Sequence, residues 1–305
     1  MQTINAEQGV DVDYAEHMPL VTESMLLDIT LAGDTLVAVG ERGHIVISTD
    51  GESWQQVEVV PTRSTLTSVF SFGNRLWAAG HDALIITSGD GGKTWSREFF
   101  DPDRQQAVMD IIFTDENNGV AIGSYGLYLE TSDGGKTWQQ SMVDEENDYH
   151  LNSMVLFDDG RRIIAGEAGY SYRSFDDGES WEPIEMPYQG SMWGALKTEG
   201  DCVLFYGLRG HVIESCDFGS NWNELETHSE SSISGAAQYE GLVLLAANSG
   251  TILIRDDGQG FSVYHHSSGV DFSAVLSMGD GNFLLVGEDG VHRYPETDNG
   301  GKGND

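Results

Sequence analysis

Basic side chains are scarce in this chain. Lysine and arginine total 15 against 50 aspartates and glutamates, a formal net charge of −35 over 305 residues. A surface of that sign repels phosphate backbones and anionic headgroups, which argues against nucleic-acid binding and attachment to an acidic bilayer. Long apolar runs are missing too: none approaches the roughly 20 residues of a membrane-spanning helix, so no direct membrane insertion is expected. Metal-ligand spacings are absent. No Cys-x-x-Cys or His-x-x-x-His occurs, and the close pair His265-His266 would point to opposite sides of a strand. No glycine-rich turn opens a helix, which removes a phosphate loop; neither metal nor cofactor is expected. The opening residues, Met1 to Gln8, carry no basic stretch and no apolar core of a leader peptide. Two compartments stay open: cytoplasmic, or periplasmic/extracytoplasmic as a mature chain lacking its leader.

Cysteine is limited to Cys202 and Cys216, which flank the Gly207–Gly210 turn. In a regular hairpin they are near neighbours. An oxidising compartment would allow a disulfide, and two free buried thiols is the more ordinary expectation. The acidic runs Asp101-Pro-Asp103, Asp144 to Asp148 and Asp158-Asp159 sit between apolar segments. They read as solvating loops, with steering toward a basic partner as the sharper alternative.

What is abundant is repetition. Five copies of a short phrase end at Trp54, Trp95, Trp138, Trp181 and Trp222, at steps of 41, 43, 43 and 41 residues. Each runs Ser or Thr, then Asp, then Gly, then Trp, with the aspartates at Asp50, Asp90, Asp133, Asp176 and Asp217. A weaker sixth copy ends at Phe261. A second signal, Gly-x-x-Gly followed by an apolar run, recurs at Gly40, Gly123, Gly166, Gly207 and Gly287, with degenerate copies at Gly80 and Ala247. Short β-rich runs parted by glycine turns read as hairpins. Each period opens with an apolar-x-x-apolar pair, such as Leu66/Val69, Val108/Ile111 or Trp193/Leu196. Four short strands in about 40–45 residues match a propeller blade.

The predicted fold is therefore all-β: one seven-bladed β-propeller of four-stranded blades over residues 14–295. The last period lacks a fourth strand. The distance from Trp54 to Gly73 is 19 residues, and so is that from Tyr14 to Gly33. This places Tyr14 at a Trp position and predicts that residues 14–19 pair with the last blade and close the ring, removing an open edge. Residues 1–13 are expected to be a flexible lead, and 296–305 a disordered polar tail.

The Asp phrase has a structural explanation. Its carboxylate can accept backbone N–H groups of its own turn, the glycine takes a conformation closed to other residues, and the Trp fills the gap between neighbouring sheets. Function is then expected on the opposite face, in the Gly-x-x-Gly loops and the connections between blades. The candidate binding residues are Glu41, Arg42, His81, Asp82, Tyr125, Tyr149, His150, Glu167, Trp193, Arg209, Glu288 and Asp289, because concave sites mixing aromatics with a few charges favour binding. Trp193 is also read as filling a gap between blades. His44 and His211 are read as loop-edge residues.

The stretch from Val108 to Trp138, and more loosely Leu66 to Trp95 with Trp77, resembles blades of the photosystem II stability/assembly factor family, which are BNR or Asp-box propellers. The resemblance runs from about Tyr14 to Tyr294. It implies a non-enzymatic protein that holds partner proteins while membrane complexes assemble. Relatives outside photosynthesis resemble accessory or periplasmic parts of membrane transport systems. The implied partner is thus a membrane-complex subunit, a transporter or an assembly intermediate, bound by a chain that is monomeric on its own. The family's photosynthetic members use a basic surface patch; here 11 arginines are scattered among the acids.

The Asp-box also occurs in sialidases and other glycoside hydrolases, so a carbohydrate-binding or glycosidase propeller is the alternative. A sialidase needs converging arginines and a Phe/Tyr-Arg-Ile-Pro motif; the nearest fragment is Tyr172-Arg173-Ser174. Paired-carboxylate hydrolysis needs acids roughly 5–9.5 Å apart. Glu41, Asp82, Glu167, Glu288 and Asp289 share a face, but no spacing makes them converge, and no catalytic residue is expected.

Overall fold

In the computed structural model, which describes residues 2–4, 11–256 and 260–296, the chain forms seven antiparallel sheets. Each blade runs outward from the ring centre in sequence order. Blade 1, for example, is Leu26–Ala32, Thr35–Gly40, Ile45–Ser48 and Gln55–Gln56. No α-helix occurs among the described residues, only short 3-10 turns. The second strand of each blade is the most buried, as in Leu76–Ala79 and Leu244–Ala247. Apolar clusters fill the blade interfaces. One joins Val37 and Val39 to Leu76 and Ala78; another closes the ring by packing Leu284 and Val286 on Leu26 and Leu36.

The apolar-x-x-apolar pair comes from a bulge. In every innermost strand the register shifts near its start, between Leu26 and Asp28 in blade 1 and between Phe272 and Ala274 in blade 7. The extra residue brings Ile29 back to the side of Leu26, so a spacing of three replaces the usual two.

Both glycines of the Gly-x-x-Gly turn are forced by close approach. A Cβ on Gly40 would lie 2.2 Å from the Met25 carbonyl, and one on Gly43, at φ 73°, would lie 2.3 Å from that of Thr62. The turn is thus clamped between the connections entering and leaving its blade.

The Asp-box turns behave as expected. In blade 2, Asp90 Oδ1 accepts the N–H groups of Lys93 and Thr94 at 3.1 and 2.9 Å, and its Oδ2 accepts the Thr94 hydroxyl at 2.7 Å. Asp133, Asp176 and Asp217 repeat this with Thr137, Ser180 and Asn221. In the first box the N–H groups of Ser53 and Glu52 pull the Asp50 carboxyl down to about 2. Trp138 is fully buried and Trp95 nearly so, each donating its indole N–H to a carbonyl of its own turn. Trp54, Trp181 and Trp222 are half-buried. In the sixth copy Phe261 is buried, while residues 257–259 of its turn lie outside the described residues.

Four expectations need correction. Among the described residues the last blade has three strands, Phe272–Ser277, Phe283–Gly287 and Gly290–Tyr294, and residues 14–19 are not among them. Instead the Ala15 N–H donates to the Val60 carbonyl at 3.1 Å, the Met18 N–H donates to Gln56 Oε1 at 2.9 Å, and Gln56 Nε2 donates to the Glu16 carbonyl at 2.8 Å. The segment has no Asp-box turn before it, and Pro19 has no N–H to pair, so its polar groups find blade 1. The spacing holds further along: Thr22 O sits against Gly290 as Thr62 O sits against Gly43. Second, within the expected flexible lead, Gln2–Ile4 pairs antiparallel with Trp138–Gln140 on the outside of blade 3. Third, Cys202 and Cys216 are joined in a disulfide. Fourth, His44 is buried, with Nδ1 3.4 Å from the Ser24 hydroxyl, and burial lowers its pKa. Of the predicted tail, 297–305 lie outside the described residues.

Candidate functional site

The Gly-x-x-Gly turns hold a residue in the left-handed region just before the second glycine or its equivalent. These are Arg42, Asp82, Tyr125, Ala168, Arg209, Ser249 and Asp289, with φ between 53° and 62°. Such a backbone costs a non-glycine residue of order 1 kcal/mol. One position per blade is thus displayed on a single face, and its side chain differs between neighbouring blades. Five of these seven were named from sequence. The face is decorated unevenly: Arg42 lies 3.9 Å from Glu41, Asp82 accepts the Ser64 hydroxyl at 2.6 Å, and Glu288 receives the Asp271 N–H at 3.4 Å. Glu41, His81, Arg209 and Asp289 stand on separate blades around the ring, so the structure does not gather them.

Blades 3 to 5 do gather. Tyr125, 56% exposed, meets the His150 ring edge-on at 5.0 Å. His150 lies 3.7 Å from Glu167, whose other oxygen accepts the His150 backbone N–H at 2.8 Å. Tyr149 stacks on Tyr170 at 3.7 Å. Trp193 is 38% exposed and does not fill a gap between blades. Met192 takes that place, pairing with Gly207 as Leu151 pairs with Gly166. Trp193 is the bulge residue, so it faces the centre of the ring.

Beneath this patch lies a cavity of about 600 Å³, lined by the innermost strands and opening past His150, Glu167 and Trp193. Its floor was missed from sequence. Just past each bulge one residue faces the axis: Asp28, Ser68, Asp110, Ser153, Gly194, Gly235 and Ala274. At this position blades 1 to 4 carry a polar side chain, and blades 5 to 7 carry only glycine or alanine. Asp28 accepts the N–H groups of Ile29 and Val69, both at 2.8 Å. Asp110 Oδ2 accepts the Met154 N–H at 2.9 Å and the Ser153 hydroxyl at 3.2 Å. Ser68 stands between the two carboxyls and interacts with both. Both carboxyls are half-buried, facing the channel on one side and enclosed by protein on the others. That enclosure governs their chemistry. Burial pushes Asp28 up to about 7 and Asp110 to about 6, against the opposing hydrogen bonds, and Asp110 adds to the rise at Asp28.

Tyr206 completes the floor. It comes from the second strand of blade 5 and crosses Gly194, whose missing side chain leaves the space; a Cβ there would lie 2.3 Å from the Tyr206 hydroxyl. Burial and then the charges of Asp110 and Asp28 raise its pKa.

Residues 98–239, from the outer strand of blade 2 to the inner strand of blade 6, match a family model described as photosynthesis system II assembly factor YCF48. The matching family is that of YCF48. Its model spans just under half of the chain. No curated protein matches the chain significantly. Among solved structures, YCF48 bound to D1 peptide superposes with a TM-score of 0.74 at 21% identity, covering 97% of this chain and 100% of that chain. YCF48 from Cyanidioschyzon merolae gives 0.70 at 18% identity over 92% of this chain and 98% of that one. The WD40 propeller domain of Doa1 gives 0.69 at 14%, with 96% of each chain covered. At these identities the structures share a fold with this chain, and the YCF48 likeness beyond the fold rests on the sequence match.

Proposed function

We propose that the chain is a non-catalytic interaction propeller, an assembly or accessory factor that holds a protein subunit of a membrane-associated complex on its Gly-x-x-Gly face. One observation carries this reading. Seven equivalent left-handed turns present side chains of five kinds, with no two neighbouring blades alike, whereas the Asp-box turns across the ring are nearly copies of one another. A variable display on a fixed frame is the architecture of a recognition surface. The YCF48 family match supports it, as does the solved YCF48 that carries a D1 peptide. The aromatic patch of Tyr125, Tyr149 and Trp193 supplies the rigid apolar contacts that interfaces favour. The Cys202–Cys216 bond supports an oxidising, extracytoplasmic setting.

The test is affinity purification of the full chain from solubilised membranes of its native host. A stoichiometric membrane-complex subunit that is lost when Tyr125 and Trp193 are both changed to alanine is the expected result. Absence of any such subunit would sink the reading. Turnover of a glycoside that disappears on substitution of Glu41 or Glu288 would replace it with the carbohydrate alternative.

A further inference from the structure

The floor of the channel is chemically unbalanced. Asp28, Asp110 and, nearer the mouth, Glu167 line it, and among the described residues no lysine or arginine does. The His150 imidazole also lines it, and it already faces Glu167. Enclosed carboxylates without a counter-charge are costly, and ion-paired ones are much less so. Their backbone partners explain why the two aspartates point inward as ties between blades, but those partners are neutral.

Tyr206 points independently to an occupant. Its side chain is 6% exposed and its hydroxyl has no hydrogen-bond partner among the described residues, although it lines the cavity and feels both aspartates. The ring is enclosed while the hydroxyl itself opens onto the channel, where an occupant can meet it. Gly194 leaves it the room to lie there.

We propose that this channel is a socket for a single alkylammonium group, the side chain of a lysine in the partner segment held on the Gly-x-x-Gly face. The proposal rests on the interaction reading above. The geometry favours ammonium over guanidinium. Both oxygens of Asp28 are already engaged, by Ile29 and Val69, and Asp110 Oδ2 already takes two donors. A bidentate fork needs a free carboxylate edge, whereas an ammonium can take one remaining lone pair from each acid and one from the Tyr206 hydroxyl. Trp193 at the mouth offers its ring to the stem of the lysine.

The test is calorimetric titration of the full chain with Nα-acetyl-lysine amide, n-butylamine and the neutral Nα-acetyl-norleucine amide, at low salt near pH 8. The lysine amide is expected to bind at least about tenfold more tightly than the norleucine amide. The Asp28→Asn/Asp110→Asn double variant should lose about tenfold or more, and so should the wild type near pH 5, where both acids are protonated. Tyr206→Phe, which removes one oxygen and leaves the packing, should lose about threefold without moving the thermal midpoint. It keeps the test open if the double variant does not fold. No binding of the lysine amide up to roughly 10 mM, or binding unchanged in Tyr206→Phe and the double variant alike, would overturn the socket. Butylamine carries the same ammonium and stem, so it should bind within about threefold of the lysine amide, and a failure to bind would show that groups outside the socket carry the affinity and would overturn it. These titrations need no partner, so they can fail while membrane capture succeeds, and the reverse.

Discussion

The two faces of the ring use charge in opposite ways. On the Asp-box face the arginines are fasteners between blades. Arg75 donates to the Gly134 and Glu116 carbonyls of blade 3, Arg173 to the Phe218 carbonyl of blade 5, and Arg293 to the Gly51 carbonyl of blade 1. Arg255 meets Glu214 at 2.9 Å. On the Gly-x-x-Gly face, charge is displayed on turns or sunk unpaired into the channel. The arginines named on the first face are thus already paired, across blade boundaries. The difference also separates the residues that should govern stability from those that should govern binding, and substitutions on each side can break that separation.

The largest effect is expected at Arg162. It is buried, meets Glu130 at 2.7 Å and Asp177 at 2.6 Å, and donates to the Tyr128 hydroxyl. Arg162→Ala leaves the fully buried Tyr128 hydroxyl and the half-buried Glu130 without their donor and should cost about 3–5 kcal/mol in denaturant unfolding. A cost below about 1 kcal/mol would place this arginine with ordinary surface pairs.

Next comes the disulfide, which lies within blade 5 and touches neither site. The bond links residues 14 apart. Replacing both cysteines by serine should cost about 3 kcal/mol through the freed unfolded chain, with lysine-amide binding unchanged. A loss of binding would show that blade 5 transmits strain to Tyr206.

Asp28 should move stability in the other direction. Its carboxyl titrates near 7 in the fold against 3.8 when free. The folded state therefore holds the proton more tightly, so the stability this group contributes is present at about pH 4 and is lost as pH rises through 7. Above that, the ionised acid is a burden. Asp28→Asn should raise stability by about 2 kcal/mol near pH 8, a value reduced from the full linkage for water in the channel, and by almost nothing near pH 4. Paired melts at the two pH values check this. Destabilisation at both would make Asp28 a tie between blades and nothing more.

How much of this was legible in sequence follows the same division. The Trp spacing located the blades because burial and turn geometry repeat, and Thr22, eight residues past Tyr14, meets Gly290 as Thr62, eight past Trp54, meets Gly43. The spacing failed at Tyr14 because it carries no information about which neighbour an unturned segment will pair with. The exposed turn residues could be named because Gly-x-x-Gly marks them. Asp28 and Asp110 could not. Plain alternation puts Asp28 on the side of Leu26, and only the bulge turns it toward the axis. The trace was present all the same: an apolar pair spaced by three within a strand is the mark of a bulge, and a lone acid just before the second apolar residue, as in Leu27-Asp28-Ile29 and Met109-Asp110-Ile111, marks the channel. The same shift explains Trp193, one position past the apolar register that Met192 occupies.

The smallest effect on stability should accompany the cleanest effect on binding. Tyr125 is more than half exposed, sits at φ 54°, and touches His150 only by its ring edge. Tyr125→Ala removes little buried area, so unfolding should change by no more than about 0.5 kcal/mol. Tyr125→Gly should be slightly stabilising, because glycine adopts the left-handed turn without strain. Both should weaken capture of the membrane partner to the same degree, since both lack the ring. If alanine and glycine differ in capture as they do in stability, the turn's conformation is what the partner reads; if they match, it is the aromatic side chain.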